Sequence, residues 1–227
     1  MSGEAEALRG IAETALEHVR EDTIVGLGTG RAASAFVRAL GQRVTAGFRV
    51  RGVPTSDSTE ALAREVGIEL LTLAEAESID TTFDGADEVS PDLDLIKGYG
   101  GALVREKIVA ASSERLVILV GDEKLVPAVG HRGKLPVEVL PFGLALARRQ
   151  LAAISCPGEL RMEGEAPYVT DNQNYILDCN VEPISDPVGL ERRILAIPGV
   201  LGTGLFVGMA DVILIQKGTT VRSLERT

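Results

Sequence analysis

Up to residue 125 the chain alternates between short apolar segments and amphipathic segments, and this alternation limits the fold more than any other feature. The apolar segments, rich in β-branched residues, are TIVGLG, FRVRGVPTS, IELLTL, SIDTTFDGADEV and ERLVILVGD. Between them, apolar residues recur at helical spacing in RAASAFVRALGQR, STEALAREVG and ALVREKIVAASS. Strands that alternate with helices form βαβ units and a parallel sheet. We also expect an amphipathic helix over residues 4–20, a weak point or end at Gly41 and a helix C-cap at Gly67.

The pattern changes near residue 130, where the segments indicate an α+β unit with antiparallel strands. The polar cluster TDNQN predicts a hairpin turn between Tyr168–Val169 and Tyr175–Leu177. A further apolar segment, ADVILIQKG, is expected to return to the first domain.

The predicted fold class is therefore α/β, with a Rossmann-like parallel-sheet domain and a smaller inserted α+β, ferredoxin-like domain. The first domain is assigned residues 1–129 plus 208–227, and the second residues 130–207.

Charge and rare residues exclude several classes of protein. The net charge of −10, from 23 basic and 33 acidic residues, argues against nucleic-acid and membrane partners. Cys156 and Cys179 form no CxxC motif, and His18 and His131 form no HExxH motif, so no cysteine- or histidine-based metal site is expected. If the chain is an enzyme, its acid–base groups are carboxylates and lysines. With no long apolar run and no signal-peptide pattern, we expect a cytoplasmic protein.

A glycine loop, Gly26–Gly30, follows the first predicted strand and precedes a helix. Backbone N–H groups of such a loop can hold an anion, helped by the helix N-terminus. The loop lacks the GK[ST] of a Walker A motif and the third glycine of a dinucleotide fingerprint. The alternative is a tight turn without a ligand.

The polar run Thr55–Glu60 follows the second predicted strand. Asp57 or Ser58 is placed to cap the next helix, and capping is one complete explanation of the run. The other is that its hydroxyl groups line the loops at the carboxyl ends of the strands.

Three carboxylates lie within five positions in Asp84-Gly85-Ala86-Asp87-Glu88. Mutual repulsion raises the pKa of some members of such a cluster unless cations or substrate hydroxyls face them. A solvated acidic loop and a cation site are the alternatives, although the nearby Lys97 would compete with a metal.

The glycine-rich loop Lys97–Gly101 leads into a helix that is apolar except for Arg105-Glu106-Lys107. The residues on the face of Glu106 are apolar: Ala102, Leu103, Val109 and Ala110. Burial raises the pKa of a carboxylate, as a general base requires, whereas the two neighbouring cations act in the opposite direction. The alternative is that all three charges lie at the surface or form an ion network.

These loops all follow strands, so they are expected to gather at the carboxyl edge of the sheet, where Lys124 also falls. An anion-holding loop, lysines, aspartates and one glutamate suit proton abstraction beside the carbonyl of a phosphorylated sugar.

The motifs and their order resemble the ribose-5-phosphate isomerase family of type A. The matching stretches, over almost the whole chain, are GLGTG, TSDSTEALAREVGI, DGADEV, LIKGYGGALVREKIVA, GDEKLV, LPVEV, VTDNQN and IPGVLGTGLF. The resemblance implies interconversion of D-ribose 5-phosphate and D-ribulose 5-phosphate through an enediolate, without metal or cofactor. It also implies a homodimer or homotetramer, for which residues 130–207 offer the contact surface, and a place in the pentose phosphate pathway.

The resemblance also assigns site residues. Glu106 would be the base, while Asp84, Asp87 and Lys97 would contact substrate oxygens and stabilise the enediolate. The remaining substrate-binding positions are Thr29, Gly30, Arg31, Ala32, Gly85, Ala86, Gly98, Tyr99, Gly100 and Lys124. The family's GTGST is here Gly28-Thr29-Gly30-Arg31-Ala32, so two hydroxyl side chains are missing and Arg31 could itself reach the phosphate.

Two other classes fit the same kind of fold. A non-catalytic sugar-phosphate sensor would need the anion loop but not Glu106, and no DNA-binding motif is attached. A CoA transferase or sugar-phosphate deaminase would use related architecture, the transferase with a glutamate nucleophile. A nicotinamide dehydrogenase is disfavoured because the second strand ends without the acidic residue that binds ribose hydroxyls.

Overall fold

The computed structural model describes residues 2–226. The helices are α1 (Ser2–Leu16), α2 (Arg31–Thr45), α3 (Asp57–Glu65), α4 (Leu103–Ala111), α5 (Leu144–Ala153) and α6 (Pro187–Leu195). The strands of the first half are β1 (Thr23–Leu27), β2 (Val50–Pro54), β3 (Glu69–Leu70), β4 (Ile79–Asp84), β5 (Glu88–Val89), β6 (Leu95–Ile96) and β7 (Ser113–Gly121). The later strands are β8 (Lys134–Val139), β9 (Gly158–Leu160), β10 (Met162–Glu163), β11 (Ala166–Pro167), β12 (Tyr175–Asn180), β13 (Val200–Thr203), β14 (Leu205–Phe206), β15 (Val212–Lys217) and β16 (Thr220–Glu225).

The chain forms two compact units. The first comprises the residues up to Ala86, Arg105–Lys124 and the residues from Met209, and the second comprises Asp87–Val104 and Leu125–Gly208. Residues 87–104, which the sequence placed in the first domain, group with the second unit because β6 pairs with both β5 and β14. That the second unit carries an oligomer contact stays a prediction.

The first unit is built on a sheet with the strand order β16-β15-β7-β4-β1-β2-β3. Its neighbouring strands run parallel except β16, which pairs antiparallel with β15. Helices α1 and α2 bury apolar residues against this sheet, and Phe36 of α2 stacks on Phe83 of β4 with ring centroids 4.3 Å apart. The predicted α/β class and the return of residues 212–217 to this sheet are confirmed.

Two helices of the first unit differ from their predicted limits. Helix α1 ends at Leu16 rather than at residue 20, although Val19 still packs in the core. Helix α2 continues through Gly41, where a Cβ atom would lie 2.5 Å from Cβ of Val66. Glycine is therefore used there for close packing, not for ending the helix. The C-cap of α3 is Val66, one residue before the predicted Gly67, and Gly67 follows it with φ +80°, a conformation that favours glycine.

The second unit is antiparallel, as predicted, with the strand order β13-β8-β12-β9 and α5 and α6 packed on its apolar face. The turn in TDNQN forms, since the Gln173 N–H donates to the Thr170 carbonyl at 2.8 Å. The predicted hairpin is wrong, however, because β12 pairs with β8 and β9 while β11 pairs with β10. Within residues 2–226, every helix is too short or too polar to cross a membrane.

Candidate functional site

The loop after β1 is fixed to the end of β4. The Gly28 N–H donates to the Phe83 carbonyl at 2.9 Å, and the Thr29 N–H donates to Oδ1 of Asp84 at 3.0 Å. The same oxygen accepts the Gly85 N–H at 2.7 Å, and Asp84 is only 1% exposed. A Cβ atom on Gly28 would collide with Phe83 and Asp84, so only glycine permits this approach.

Buried hydroxyl groups hold the same loop from the other side. Oγ1 of Thr29 lies 2.8 Å from both Oγ1 of Thr55 and Oγ of Ser56, and Oγ1 of Thr59 donates to the Gly28 carbonyl at 2.9 Å. Ser56 is the N-cap of α3, because its Oγ accepts the Thr59 N–H at 3.1 Å. The predicted caps, Asp57 and Ser58, are therefore wrong by one or two positions. Polar residues of 55–59 both cap a helix and support the glycine loop.

Helix α2 begins directly after this loop. Gly30 adopts φ +104°, a conformation that favours glycine, and Arg31 is the first helical residue. Arg31 is exposed and Ala32 is half-buried. Because the N-terminus of a helix carries partial positive charge, the loop and α2 together suit an anion.

Glu106 and Arg105 of α4 point to different surroundings. Glu106 is 5% exposed, whereas Nη1 of Arg105 pairs with Oδ1 of Asp57 at 2.6 Å near the exterior of the first unit. The charges of this helix therefore do not emerge together at the surface. Lys124 is half-buried in a single 3-10 turn, Asp122–Lys124, that directly follows β7.

In the second unit, Asp87 fixes the start of the loop Lys97–Gly101. The Asp87 N–H donates to the Ile96 carbonyl at 2.8 Å, and Oδ2 of Asp87 accepts the Tyr99 N–H at 3.0 Å. Lys97 is 2% exposed, and its ammonium lies 5.4 Å from the ring centroid of Phe206. Burial, followed by the negative charges of Glu88 and Asp87, raises the pKa of the Tyr99 hydroxyl well above its usual range.

Glu88, the last acid of the cluster, is fully buried and binds backbone amides. Oε2 accepts the N–H groups of Gly130 at 2.6 Å and His131 at 3.2 Å, and Oε1 accepts that of Arg132 at 2.8 Å. Backbone donors therefore stabilise carboxylates for which the sequence suggested cations or substrate hydroxyls. Among residues 2–226, no three His, Cys, Asp or Glu side chains are grouped to hold a metal ion.

Sequence reasoning missed a layer of side chains behind the loop 97–101. Arg161 forms a two-point ion pair with Asp178, at 2.5 and 3.0 Å, and donates to the carbonyls of Gly98 and Tyr99. Burial opposes ionisation of Asp178, but Arg161 and Lys134 outweigh it and lower the pKa of the carboxyl. An isolated arginine in a short segment gives no local signal, because Asp178 becomes its neighbour only through the β9–β12 pairing.

Within each unit, then, predicted site residues come together. Thr29, Asp84 and Gly85 are joined by hydrogen bonds in the first unit, and Gly30, Arg31 and Ala32 follow directly. In the second unit, Asp87 contacts the loop formed by Lys97, Gly98, Tyr99 and Gly100.

A glycine loop at the carboxyl edge of a parallel sheet, backed by a buried carboxylate and a helix N-terminus, defines an α/β protein suited to a small anionic ligand. The sequence model of one family, ribose 5-phosphate isomerase A (phosphoriboisomerase A), matches residues 51–220. The chain belongs to that family.

Individual members of this family are similar to this chain over nearly the full length of both proteins. The ribose-5-phosphate isomerase A of Roseiflexus castenholzii is 49% identical, over 96% of this chain and 94% of its own. That of Rhodopseudomonas palustris is 47% identical, over 97% of this chain and 98% of its own. The solved structure of ribose 5-phosphate isomerase from Plasmodium falciparum superposes with a TM-score of 0.93 at 38% identity, covering 97% and 99% of the two chains. A D-ribose-5-phosphate isomerase solved in complex with phospho-erythronic acid gives a TM-score of 0.94 at 36% identity, covering 97% and 98%.

Proposed function

We propose that this chain is an aldose–ketose isomerase that interconverts D-ribose 5-phosphate and D-ribulose 5-phosphate, in the non-oxidative branch of the pentose phosphate pathway. Family membership supports this reaction, as do the names of relatives that match 96–97% of the chain. The observation in this chain that carries the proposal is Glu106, a carboxylate 5% exposed at the position of the family's base.

In the proposed mechanism, the Glu106 carboxylate removes the proton from C2 of the open-chain aldose. The electron pair forms the C1–C2 double bond and places negative charge on O1. The protonated Glu106 then returns the proton to C1, while the proton of the O2 hydroxyl passes to O1, so that O2 becomes the ketone oxygen and O1 a hydroxyl group. The Lys97 ammonium stabilises the enediolate, and Asp84 and Asp87 contact the substrate hydroxyl groups and carry the proton from O2 to O1.

The phosphate, remote from the reacting carbons, supplies binding energy that orients them. We propose that Gly30 and Ala32 hold it through backbone N–H groups at the start of α2, that Thr29 lies beside it, and that Lys124 is a counter-charge. Arg31 stands where the family motif has serine, and its exposed guanidinium is proposed to reach the phosphate in place of the lost hydroxyl. Further contacts are proposed from Gly85, Ala86, Gly98, Tyr99 and Gly100. A relative's complex with phospho-erythronic acid supports a phosphorylated sugar skeleton as ligand.

The test is turnover of D-ribose 5-phosphate by the purified chain in the presence of EDTA, with ketose formation monitored. Activity that survives the chelator supports a metal-free reaction. Glu106→Gln should lower kcat by roughly 10²–10⁴-fold, the range for a lost general base. Glu65→Gln, an exposed glutamate of α3, is the matched control and should behave as wild type. Near-normal turnover of Glu106→Gln would overturn the assignment of the base.

Lys124 and Arg31 are tested through KM. Lys124→Ala and Arg31→Ala should each chiefly raise KM for ribose 5-phosphate, because uniform phosphate binding does not change kcat. An unchanged KM removes that residue from the phosphate site. A CoA transferase would instead form a covalent glutamyl adduct with acyl-CoA, which mass spectrometry of the intact chain would detect. A non-catalytic sensor would bind the sugar phosphate without any turnover.

We further propose a homodimer that works in the cytoplasm. The second unit exposes an apolar patch of Leu140, Phe142 and Leu201, and Phe142 is 99% exposed. Leu201 belongs to β13, an edge strand, and the Leu140 N–H bonds to Gly199 next to that strand. Exposed apolar patches of this kind are typical of protein interfaces. Analytical ultracentrifugation should give twice the chain mass for wild type and the single mass for Phe142→Asp; a monomeric wild type would contradict the proposal.

Both cysteines are free and buried, in keeping with the reducing compartment that the proposed location in the cytoplasm requires.

A further inference from the structure

Arg161 forms hydrogen bonds to the backbone of the loop Lys97–Gly101. Its Nη1 donates to the carbonyl oxygens of Gly98 and Tyr99, both at 3.0 Å. Its other nitrogens pair with both oxygens of Asp178, and the side chain is only 11% exposed. A planar guanidinium has five N–H donors in a fixed arrangement, so one side chain can bind a carboxylate through two of them and neighbouring carbonyls through another. Asp178 therefore holds the Arg161 side chain in place against the loop.

The peptide between Gly98 and Tyr99 is held at both of its edges. Because a trans peptide is planar, its C=O and N–H point in opposite directions. The Gly98 carbonyl accepts from Arg161, and the Tyr99 N–H of the same plane donates to Oδ2 of Asp87 at 3.0 Å. By holding this peptide, Arg161 directs the Tyr99 N–H toward Asp87, a carboxylate proposed above to contact the substrate.

The next peptide is oriented by the same side chain. The Tyr99 carbonyl points to Arg161, so the Gly100 N–H of that plane points away from Arg161. The Tyr168 hydroxyl lies 3.4 Å from the Gly100 carbonyl, and the Arg161 guanidinium lies over the Tyr168 ring at 5.7 Å. The amide of Gly100 is thereby presented as a donor in one fixed direction.

The glycines of this loop make its backbone flexible, so the orientation of its peptide planes has to be fixed by other groups. Gly98 and Gly101 adopt φ of +99° and +92°, and glycine passes readily between positive and negative φ. Peptides flanked by such residues can rotate at little cost, and the donors they carry would rotate with them. A fixed pattern of donors, supplied by Arg161, selects one orientation of these peptides.

We infer that Arg161, clamped by Asp178, is a positioning residue for isomerisation: it sets the peptide planes that orient Asp87 and aim the Gly100 N–H at an anionic oxygen of the substrate. This inference rests on the proposed function. It predicts an effect on kcat larger than on KM, because misaligned donors lose more in the transition state than in the bound substrate.

The experiment compares Arg161→Ala and Asp178→Asn with Arg148→Ala in the isomerase assay. Arg148 is an exposed arginine that lines the same surface groove of about 800 Å³ as Arg161, and it serves as the matched control. Arg161→Ala should lower kcat roughly 10–100-fold with a smaller change in KM. Added methylguanidinium should restore part of kcat in Arg161→Ala and none in Asp178→Asn. The double variant should lose less than the product of the two single losses, since the two side chains act as one unit.

Hydrogen exchange of the 98–101 amides gives a readout that does not depend on turnover. These amides should exchange faster in Arg161→Ala than in wild type and be unchanged in Arg148→Ala. The inference is overturned if wild type is active and Arg161→Ala retains its kcat, or if kcat falls without rescue by methylguanidinium and without faster exchange. An inactive wild type would instead reject the proposed function, and loop exchange would still decide whether Arg161 fixes the loop.

Discussion

Glu88→Gln should lower the free energy of unfolding by about 2–3 kcal/mol. The fully buried carboxylate accepts three backbone N–H groups, from Gly130 and His131 on one oxygen and from Arg132 on the other. A glutamine offers only one acceptor oxygen. If that oxygen keeps the first two donors, its NH₂ group faces the Arg132 N–H, and a charge-assisted bond, worth about 1.5–3 kcal/mol, is replaced by two opposed donors.

Removing the buried charge also relieves a desolvation penalty, so the loss stays below the sum for three bonds. Glu88→Ala, which leaves all three N–H groups without this acceptor, should lose roughly 4 kcal/mol. At this chain length the Gln variant corresponds to a Tm lower by roughly 4–12 °C.

Urea unfolding followed by circular dichroism measures the change as a shift in midpoint at constant slope. Glu163→Gln, on exposed strand β10, is the control and should match wild type. If Glu88→Gln unfolds at the same urea concentration as that control, the backbone amides around residue 130 do not depend on the carboxylate, and the reasoning fails.

Three further predictions concern packing and ionisation. Gly41→Ala should lower Tm in thermal unfolding despite a gain of about 1 kcal/mol in helix propensity, because overpacking against Val66 costs about 1–3 kcal/mol; an unchanged or higher Tm would contradict this. Burial raises the pKa of Cys179 to about 12 and also raises the pKa of Cys156, so neither thiol should react with Ellman's reagent at neutral pH until urea is added. The pKa of Asp178 is lower in the folded protein than the value of about 3.9 expected in the unfolded chain. Its ion pairs therefore stabilise the fold fully above about pH 3.9, and this stabilisation is lost as the pH falls through the pKa of the folded state. The difference in free energy of unfolding between wild type and Asp178→Asn should accordingly shrink from pH 6 to pH 3.

The parallel sheet was predictable because each of its main strands carries a local signal. TIVGL and LVILV are apolar and β-branched, and each is bounded by glycine or charge. Strand β16 has no such signal: its sequence, TVRSLE, is largely polar and exposed, and only pairing with β15 makes it a strand. The end of α1 was misplaced because Val19 continues the apolar stripe although the chain has already left the helix.

Site residues that follow adjacent parallel strands were easier to predict than the hydrogen-bond partners that come from distant parts of the chain. That Thr29 and Asp84 meet follows from two adjacent parallel strands ending at one edge. The donors to Glu88, more than forty residues away in a loop without periodicity, carry no pattern. Arg161 is similar, because its role depends on where the strands of the second unit bring Asp178.

The order of strands in the first unit has a consequence for synthesis. Strand β7 lies between β4 and β15, yet 90 residues, 122–211, separate its end from the start of β15. At about 5–20 residues per second, the ribosome needs roughly 5–18 s to make them. During that interval one side of LVILV has no hydrogen-bonding neighbour, which is the kind of edge that other nascent chains can join. The growing chain is therefore exposed to aggregation, and to capture by chaperones, until the hairpin of β15 and β16 leaves the exit tunnel.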